Sequence, residues 1–385
     1  MGKWLEKTLG ELTSFMTKGI PPKYVEEVGQ DTIRVLNQKC NRNYRISYSE
    51  SRIHDNSVKK APEDKMLRDF DVLINSTGMG TAGRVAQIWH VPEPTTLDGH
   101  MILMRPTQEM DPLYYGYAIK SFQSQIEGFA EGSTGQTEIN KRRLQDEIVI
   151  RFPASLDEQK AIGRMLKAID EKIRNNEELN ENLEQQAQAI FRSRFLTQES
   201  LHDGWVKFTL GDVSLMGAGG DKPKTVSAAQ TESCPYPIYS NGISDEGLYG
   251  FTNEYKIADE SITVSARGTI GYVCLRHLPY TPIVRLVTLI PKKEVVSAKY
   301  LYLWLRNTHI HGTGTTQQQL TVPDFRKTEI ILPTKEEMAS FTDVVSPLFE
   351  IMWANQAENA KLADLRDTLL PRLMSGELDV SSLDL

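Results

Sequence analysis

The chain has 385 residues, of which 39% are hydrophobic and 25% are charged, the balance of a soluble globular protein with room for two or three domains. Its three cysteines have no ligand-like spacing, which excludes a disulfide framework and a zinc site, and it has no run of about 18 apolar residues for a membrane span. We therefore expect a cytoplasmic protein. The net charge of −7 comes mainly from residues 155–200 and 334–385, so it neither supports nor excludes nucleic-acid binding by the rest of the chain.

Residues 1–154 form the first predicted globular domain. An apolar run, Val72-Leu73-Ile74, predicts a strand that leads into a glycine turn at Gly80-Thr81-Ala82-Gly83. A helical run at 112–122, a Gly/Ser/Thr/Gln loop at 132–137 and a strand closed by Pro153 follow. Short β-branched runs punctuated by Gly, Pro and Asn indicate a mixed α/β (α+β) domain.

Residues 155–200 predict the first long helix. Its apolar residues recur at alternating spacings of four and three from Ile162 to Ile190, which is a heptad seam. Two asparagines, Asn176 and Asn180, interrupt the seam, although asparagine is costly at such positions.

Residues 201–333 repeat the plan of the first domain. The opening of this domain corresponds to that of the first domain: Trp205-Val206-Lys207-Phe208-Thr209-Leu210-Gly211 aligns with Trp4-Leu5-Glu6-Lys7-Thr8-Leu9-Gly10. The turn Gly268-Thr269-Ile270-Gly271 likewise aligns with the glycine turn of the first domain. A second polar loop, 313–319, precedes a strand closed by Pro333. A repeat of this length indicates a duplicated domain rather than a solenoid.

Residues 334–376 predict the second long helix, and residues 377–385 a carboxy-terminal tail. Adding 179 to each seam position of the first helix gives a second seam, with asparagines at the same step, Asn355 and Asn359. Pro347 is expected to kink this helix or to split off its first turns. Two helices with the same defect are predicted to pack as an antiparallel coiled coil about an internal pseudo-twofold axis.

The predicted register places Asn176 opposite Asn359 and Asn180 opposite Asn355, so that the buried amides satisfy each other. The predicted helix-pair core also contains Ile169, Ile173, Leu183, Leu348, Met352 and Leu362. This register puts two related domains at opposite ends of a rod. Such a rod suits two half-sites on duplex DNA about one helical turn, roughly 34–36 Å, apart.

The chain resembles the specificity subunits of type I restriction–modification systems over its full length. The resemblance rests on the duplication, on Asp157-Glu158-Gln159-Lys160-Ala161-Ile162 at the start of the first helix, and on the run 358–378, which includes Leu370-Pro371-Arg372-Leu373-Met374-Ser375-Gly376. The chain departs from the pattern at Glu337-Met338, which stands where the first helix has Glu158-Gln159.

The resemblance implies two target recognition domains, each reading half of a bipartite, asymmetric target in double-stranded DNA. It also implies that the helices dock two methyltransferase subunits, through which restriction/translocase subunits join, and that the second helix ends beside the amino terminus. S-adenosylmethionine, ATP and magnesium are then expected only in the partner subunits, and this chain is expected to hold no cofactor and no metal.

The candidates for DNA contact lie in and near the repeated turns and loops. Glutamine can pair bidentately with adenine, Ser and Thr can reach bases or phosphates, and Lys and Arg can bind phosphate or guanine. These candidates are Lys18, Lys23, Arg84, Ser133, Thr134, Gln136 and Thr137 in the first domain, and Lys222, Lys224, Arg267, Thr315, Thr316, Gln317, Gln318 and Gln319 in the second. For each of them, an ordinary solvated surface residue is the alternative interpretation.

Catalytic motifs are missing from the sequence. It has neither a Gly-x-x-x-x-Gly-Lys-Ser/Thr phosphate-binding loop nor the Asn/Asp-Pro-Pro-aromatic tetrapeptide of adenine methyltransferases. We therefore expect a non-catalytic, sequence-specific DNA-binding subunit that directs catalytic partners to their target. The competing hypothesis is a coiled-coil scaffold whose two heads bind protein partners.

Overall fold

The computed structural model describes residues 3–131, 137–196, 203–312 and 319–378. The chain forms two compact units: unit 1 comprises residues 1–175 and 358–385, and unit 2 comprises residues 176–357. The division predicted from the sequence treats each long helix as a separate segment. The compact units instead divide both helices near their midpoints.

Unit 1 contains the elements of the first predicted domain. Its strands are β1 (Trp4–Thr8), β2 (Thr13–Lys18), β3 (Tyr24–Val25), β4 (Thr32–Leu36), β5 (Asn41–Arg42), β6 (Arg45–Ile46), β7 (Arg52–Asp55), β8 (Val72–Asn75), β9 (Val85–Gln87), β10 (Thr95–Leu97), β11 (Met101–Pro106), β12 (Ala130–Glu131), β13 (Glu138–Ile139) and β14 (Val149–Pro153). Its helices are α1 (Leu9–Leu12), α2 (Pro112–Ser121), α3 (Gln123–Glu127), α4 (Lys141–Asp146) and the first half of α5 (Leu156–Phe195).

Unit 2 has fewer strands on the same plan. Its strands are β15 (Val206–Thr209), β16 (Ser214–Ala218), β17 (Tyr236–Tyr239), β18 (Leu248–Thr252), β19 (Ser261–Val264), β20 (Val273–Arg276), β21 (Thr281–Pro282), β22 (Val287–Pro291) and β23 (Glu329–Leu332). Its helices are α6 (Leu210–Val213), α7 (Ala298–Arg306), α8 (Val322–Phe325) and the first half of α9 (Lys335–Met374).

The sheet topology confirms the predicted duplication. Unit 1 has a central antiparallel sheet of order β2-β11-β8-β9, and unit 2 has its counterpart, β16-β22-β19-β20. A terminal pair accompanies each central sheet, β1-β14 in unit 1 and β15-β23 in unit 2. A second sheet completes each unit, with the order β10-β4-β7-β3 in unit 1 and β18-β17-β21 in unit 2. The middle strands β8 and β19 are buried at every position, because both of their faces are covered.

A capping box begins the first short helix of each unit. The Thr8 hydroxyl accepts the Glu11 backbone N–H, and the Glu11 carboxylate accepts the Thr8 N–H. Thr209 and Asp212 make the same pair of bonds in unit 2. Each box satisfies two backbone donors that a helix start otherwise leaves open, so a Thr-Leu-Gly-acid signature fixes the same local structure twice.

The long helices lie within the predicted segments 155–200 and 334–376, and within each unit they run antiparallel. In unit 2 the Asn355 amide donates to Asn180 Oδ1 at 2.8 Å, which confirms that predicted contact. Asn180 also donates to the Met352 carbonyl at 3.2 Å, and in unit 1 the equivalent bond joins Asn359 to the Ile173 carbonyl at the same distance. In each unit, therefore, an asparagine amide of one long helix donates to a backbone carbonyl of the other.

The predicted helix-pair core differs in its degree of burial. Asn176, Ile173, Leu183 and Met352 are buried, whereas the other predicted positions are half-buried: Ile169, Asn180, Leu348, Asn355, Asn359 and Leu362. The expectation that Pro347 splits α9 is wrong, because the helix continues without a break from Lys335 to Met374. Pro347 and Asp343 are both exposed, so water can reach the Asp343 carbonyl that the proline leaves without its helical donor.

The end of α9 lies beside the amino terminus, as the resemblance implied. Gly376 follows the helix with φ +74°, and a Cβ atom there would lie 2.7 Å from Cε2 of the Trp4 ring. Leu370, Leu373 and Met374 join the core of unit 1, against which Trp4 packs. Both the backbone conformation and the lack of space therefore favour glycine at this position.

A buried charge cluster joins α5, α9 and α2 in unit 1. Asp170 is 4% exposed and accepts hydrogen bonds from Arg366 Nη1 at 2.7 Å and from the Tyr117 hydroxyl at 2.8 Å. Lys120 Nζ lies 3.9 Å from the same carboxylate and 4.3 Å from the Tyr44 ring. Burial lowers the pKa of Lys120 to about 8, because it costs the ammonium its hydration.

An aromatic cluster joins α5, α9 and α7 in unit 2. Phe191 and Phe195 of α5 contact Phe341 of α9 and Tyr300 of α7, with ring centroids 5.1–5.9 Å apart. Such edge-on contacts stabilise the attachment of the helices by packing. Unit 2 also has a charged cluster, in which the Tyr302 hydroxyl donates to Glu184 of α5 at 2.7 Å and Arg306 Nε lies 3.7 Å from the same carboxylate. Among the described helices, none has the length and apolar character needed to cross a membrane.

Candidate nucleic-acid interface

One end of the central sheet gathers polar segments in each unit. We call these segments the rim: residues 18–20, 76–84, 98–100 and 137–139 in unit 1, and residues 218–220, 266–272, 283–285 and 319–320 in unit 2. Strand pairing brings them together, because Lys18 is opposite Ile102 and Met101 is opposite Asn75. In unit 2, Val287 is opposite both Ala218 and Val264.

Backbone hydrogen bonds fix the rim segments to one another. The Ser76 amide donates to the His100 carbonyl at 2.8 Å, and the Ile139 amide donates to the Ser76 carbonyl at 2.8 Å. In unit 2 the Leu320 amide donates to the Ala266 carbonyl at 3.0 Å, which is the same connection. The residues that follow each polar loop are thus fixed against the glycine turn.

The glycines of the rim are required by geometry. A Cβ atom on Gly19 would lie 2.1 Å from the Asp98 carbonyl oxygen, and one on Gly219 would lie 2.7 Å from Ile283 backbone atoms. Gly80 and Gly268, the first glycines of the two turns, both have φ +68°. A side chain at these positions would clash with the neighbouring backbone or strain the positive φ. Both units therefore have the same backbone conformation at the rim.

The side chains on this shared backbone differ between the units. In unit 1, Lys18 forms an ion pair with Glu138, and the Thr77 hydroxyl contacts His100 Nδ1 at 2.8 Å. In unit 2, Arg267 Nη2 donates to Gln319 Oε1 at 3.1 Å. Among the rim residues of unit 2, both charged side chains are arginines, Arg267 and Arg285.

Polar side chains hold the segments of each rim together. Asp98 is 4% exposed, and burial raises the pKa of its carboxyl group while its Oδ1 accepts the His100 amide at 2.9 Å. In unit 2, Asn241 accepts the Ala266 amide at 2.7 Å and donates to the Val284 carbonyl at 2.6 Å. These bonds hold the turns in place for an incoming ligand.

The structure brings five of the predicted DNA-contacting residues to the rims: Lys18, Arg84 and Thr137 in unit 1, and Arg267 and Gln319 in unit 2. It places the exposed Lys23, Lys222 and Lys224 outside the rim segments. Lys222 Nζ lies 5.0 Å from the Tyr249 ring centroid. Seven further candidates lie outside the described residues: Ser133, Thr134, Gln136, Thr315, Thr316, Gln317 and Gln318.

The predicted correspondence of Lys18 with Lys222 is wrong, whereas the predicted correspondence of Arg84 with Tyr272 agrees with the structure. Arg84 follows its turn and corresponds to Tyr272, because the Asn75 amide donates to the Arg84 carbonyl as the Ser265 amide does to Tyr272. Arg267 instead precedes its turn, in a connection from the central strand that is two residues shorter than the connection in unit 1. Lys18 corresponds to Ala218 rather than to Lys222, since each ends the strand that pairs at the sheet edge.

Sequence reasoning missed several rim residues, among them Thr77, Met79, His100, Glu138 and Arg285. His100 and Arg285 each stand directly before an apolar run, which begins at Met101 and at Leu286, and that position is the signal that identifies them. Met79 is 79% exposed at the tip of the turn. Glu138 carries no such signal, because an acidic residue is unexpected on a surface that binds a polyanion. No group of three or more metal-ligating side chains occurs among the described residues.

Comparisons with known proteins agree on one family. The model of the type I restriction modification DNA specificity domain matches residues 1–185 and again residues 202–362. A putative type I specificity subunit of Mycoplasma pneumoniae is 32% identical over 213 residues, which are 54% of this chain and 58% of that protein. The chain thus spans little more than half of the length of that relative.

Two further relatives cover nearly the whole chain. The specificity subunit of the type I restriction enzyme MjaIX from Methanocaldococcus jannaschii is 25% identical over 98% of this chain and 93% of its own length. The crystal structure of a type I restriction–modification S subunit from M. genitalium covers 97% of this chain and 96% of its own, with 18% identity and a TM-score of 0.59. The latter is a likeness of fold.

Proposed function

This chain belongs to the type I restriction–modification DNA specificity family, and from that premise we propose that it is the subunit that gives such a system its target sequence. It binds double-stranded DNA through the rims of both units. Each rim reads one half of a bipartite, asymmetric target. The chain itself is not catalytic, and the methylated adenine lies within the bound target.

The observation that supports this proposal is the rim, which is built twice on one backbone with different side chains. A shared backbone gives both units the same approach to a duplex, whereas Lys18, Glu138 and His100 in one and Arg267, Arg285 and Gln319 in the other present different donors and acceptors. Base edges in the major groove are distinguished by their donors and acceptors. Two such surfaces therefore suit two different half-sites.

The partners follow from the family. Two methyltransferase subunits dock on the α5–α9 helix pair and hold S-adenosylmethionine, and restriction/translocase subunits that use ATP and magnesium join through them. This chain supplies the binding energy and the base contacts. Loss of a base contact should change which sites are methylated and leave the rate of methyl transfer at accepted sites unchanged.

The experiment that tests the function is a methylome. The chain is expressed with the methyltransferase subunit of its system in a host that lacks adenine methylation, and modified bases are mapped by long-read sequencing. We expect a split motif with a fixed gap of unspecified bases. No methylation from a complex shown to be assembled would refute the proposal and favour a scaffold for protein partners.

An exchange of domains tests whether the two half-sites are read separately. Residues 1–154 are replaced by the equivalent domain of another specificity subunit with a known target. One half-site should change and the other should stay the same. A change in both half-sites would contradict the assignment of one rim to each half.

A further inference from the structure

We propose that residue 138 is a specificity-determining position, at which Glu138 selects a C·G base pair with the help of Lys18. The inference rests on the proposed function and names one base contact within it. Glu138 directly follows the polar loop of unit 1, and its side chain is 53% exposed. It lies on the rim, beside the turn that carries Thr77, with which it forms an isolated bridge.

The position of Glu138 is fixed more firmly than that of an ordinary surface carboxylate. Its neighbour Ile139 is 1% exposed and donates its amide to the Ser76 carbonyl at 2.8 Å. Lys18 Nζ binds one carboxylate oxygen, Oε1. Among the described residues, the second oxygen has no recorded partner, so it can accept a hydrogen bond from a ligand.

A carboxylate on a surface that binds DNA needs a specific reason. Phosphates repel it, so an exposed glutamate weakens sequence-independent binding. Within the major groove, in contrast, the cytosine N4 amino group donates a hydrogen bond, and glutamate is an acceptor suited to it. The guanine of the same pair presents O6 and N7 as acceptors, to which lysine can donate. The Lys18–Glu138 pair thus offers one acceptor and one donor to the edge of a C·G pair.

Unit 2 shows that this position changes while its backbone does not. Gln319 occupies the place of Glu138, because Leu320 repeats the bond of Ile139 to the glycine turn. Its Oε1 accepts from Arg267, a residue that precedes the turn, whereas the partner of Glu138 comes from β2. The backbone at this position is the same in both units, but unit 1 has an acid–lysine pair and unit 2 has an amide–arginine pair. This combination is expected of a position that reads a base.

The test is the methylome of the assembled complex with Glu138→Gln. For the unaltered chain, the half-site read by unit 1 should contain a C·G pair preferred over A·T by about tenfold or more. Glutamine pairs with adenine, so the variant should lose this preference and accept A·T at that one position. The other half-site and the length of the gap should stay as they are.

A matched control exists in the same unit. Lys7 and Glu109 form an ion pair with side chains 33% and 52% exposed, against 31% and 53% for Lys18 and Glu138, and they lie outside the rim. Glu109→Gln removes the same charge and should leave the motif unchanged. Lys18→Met keeps the carboxylate and should weaken methylation at all sites without admitting A·T.

The outcomes separate the two proposals. If the unaltered chain and Glu138→Gln give the same split motif, the base contact is overturned and the proposed function stands. Loss of methylation at every sequence by a folded, assembled Glu138→Gln variant would have the same consequence. Absence of any motif for the unaltered chain would refute the proposed function. If Glu138→Gln fails to fold, Gln319→Glu tests the equivalent position in unit 2. This substitution should raise the preference for C·G in the other half-site. An unchanged motif would overturn the inference.

Discussion

Replacing Arg366 with methionine should destabilise unit 1 by about 3 kcal/mol, because it leaves the Asp170 carboxylate buried without its hydrogen-bonded counter-charge. Asp170 is 4% exposed, and its 2.7 Å bond to Arg366 is the closest charged contact that it makes among the described residues. Removal of one partner of a buried pair typically costs about 3–5 kcal/mol. We expect a loss of stability at the lower end of this range, because Lys120 partly compensates for the missing Arg366. Since Arg366 depresses the pKa of Lys120, its removal lets that ammonium stay charged 3.9 Å from the carboxylate.

A second substitution separates the buried charge from simple loss of packing. Asp170→Asn removes the charge and keeps an oxygen that accepts the Tyr117 hydroxyl. The double variant Arg366→Met with Asp170→Asn should therefore recover most of the loss and remain about 1 kcal/mol less stable than the parent. Arg372→Met is the matched control on α9, because Arg372 is 44% exposed and pairs with Glu377 at the surface. Its cost should stay below about 1 kcal/mol.

Hydrogen exchange followed by mass spectrometry is the appropriate assay. Two compact units in one chain do not guarantee a single unfolding transition, whereas exchange reports the opening free energy of each segment. The amides of α2 and of the first half of α5 should lose about 3 kcal/mol of protection in the single variant. A loss below 1 kcal/mol, or a double variant no more stable than Arg366→Met, would refute the assigned role of the buried charge.

Three further outcomes are expected. Lys120→Met should flatten the pH dependence of the stability of unit 1. The pKa of Lys120 is about 8 in the folded state against 10.5 for the free side chain, so the folded state binds fewer protons than the unfolded state between these values. The parent should therefore gain stability over the variant as pH rises through that window, as measured by denaturant titration. Gly376→Ala should lower the melting temperature by several degrees, through the cost of its positive φ and the contact with Trp4. Asn355→Ala should cost roughly 1–2 kcal/mol in denaturant unfolding, since Asn180 Oδ1 loses its donor.

Each of these outcomes has a matched control. Parallel stability curves for the parent and Lys120→Met at pH 7.5 and 10 would contradict the first. Gly80→Ala has the same kind of positive φ but open space around its Cβ, so it should cost less than Gly376→Ala, and equal costs would exclude the clash. For the asparagines, a double-mutant cycle with Asn180→Ala should reveal coupling, and strict additivity would show that the bond contributes nothing.

The helices could be predicted from the sequence because their determinants are local. A heptad seam sets both pairs of bounds, and its repeated asparagines set the register in which Asn180 meets Asn355. Met338 stands where the first long helix has Gln159, and the structure, not the sequence, explains this difference. Gln159 is fully buried and bonds the Asp111 amide at 2.7 Å, whereas in unit 2 the Ser297 hydroxyl approaches Met338 Sδ at 3.7 Å. Each side chain contacts the amino-terminal cap of the helix that packs on it.

The rim was only partly predictable, because its members come together through strand pairing. The repeated glycine turns could be recognised, since their residues are adjacent in sequence. Their alignment matched Arg84 to Tyr272, in agreement with the structure, whereas Lys18 was wrongly matched to Lys222 instead of Ala218. Glu138 meets Lys18 from 120 residues away. No local pattern predicts such a contact, which depends on a strand order that the sequence left open.

The division of the chain has a consequence for its synthesis. Unit 1 takes its chain from both termini, and its core includes Leu370, Leu373 and Met374. A ribosome adds these residues after all of unit 2, so the apolar surface around Tyr114 and Ile162 stays uncovered until then. Unit 2 is continuous in sequence and has all of its residues as soon as position 357 emerges. The nascent chain therefore completes unit 2 before unit 1, and a premature stop between residues 357 and 370 leaves unit 2 whole and unit 1 open to proteases.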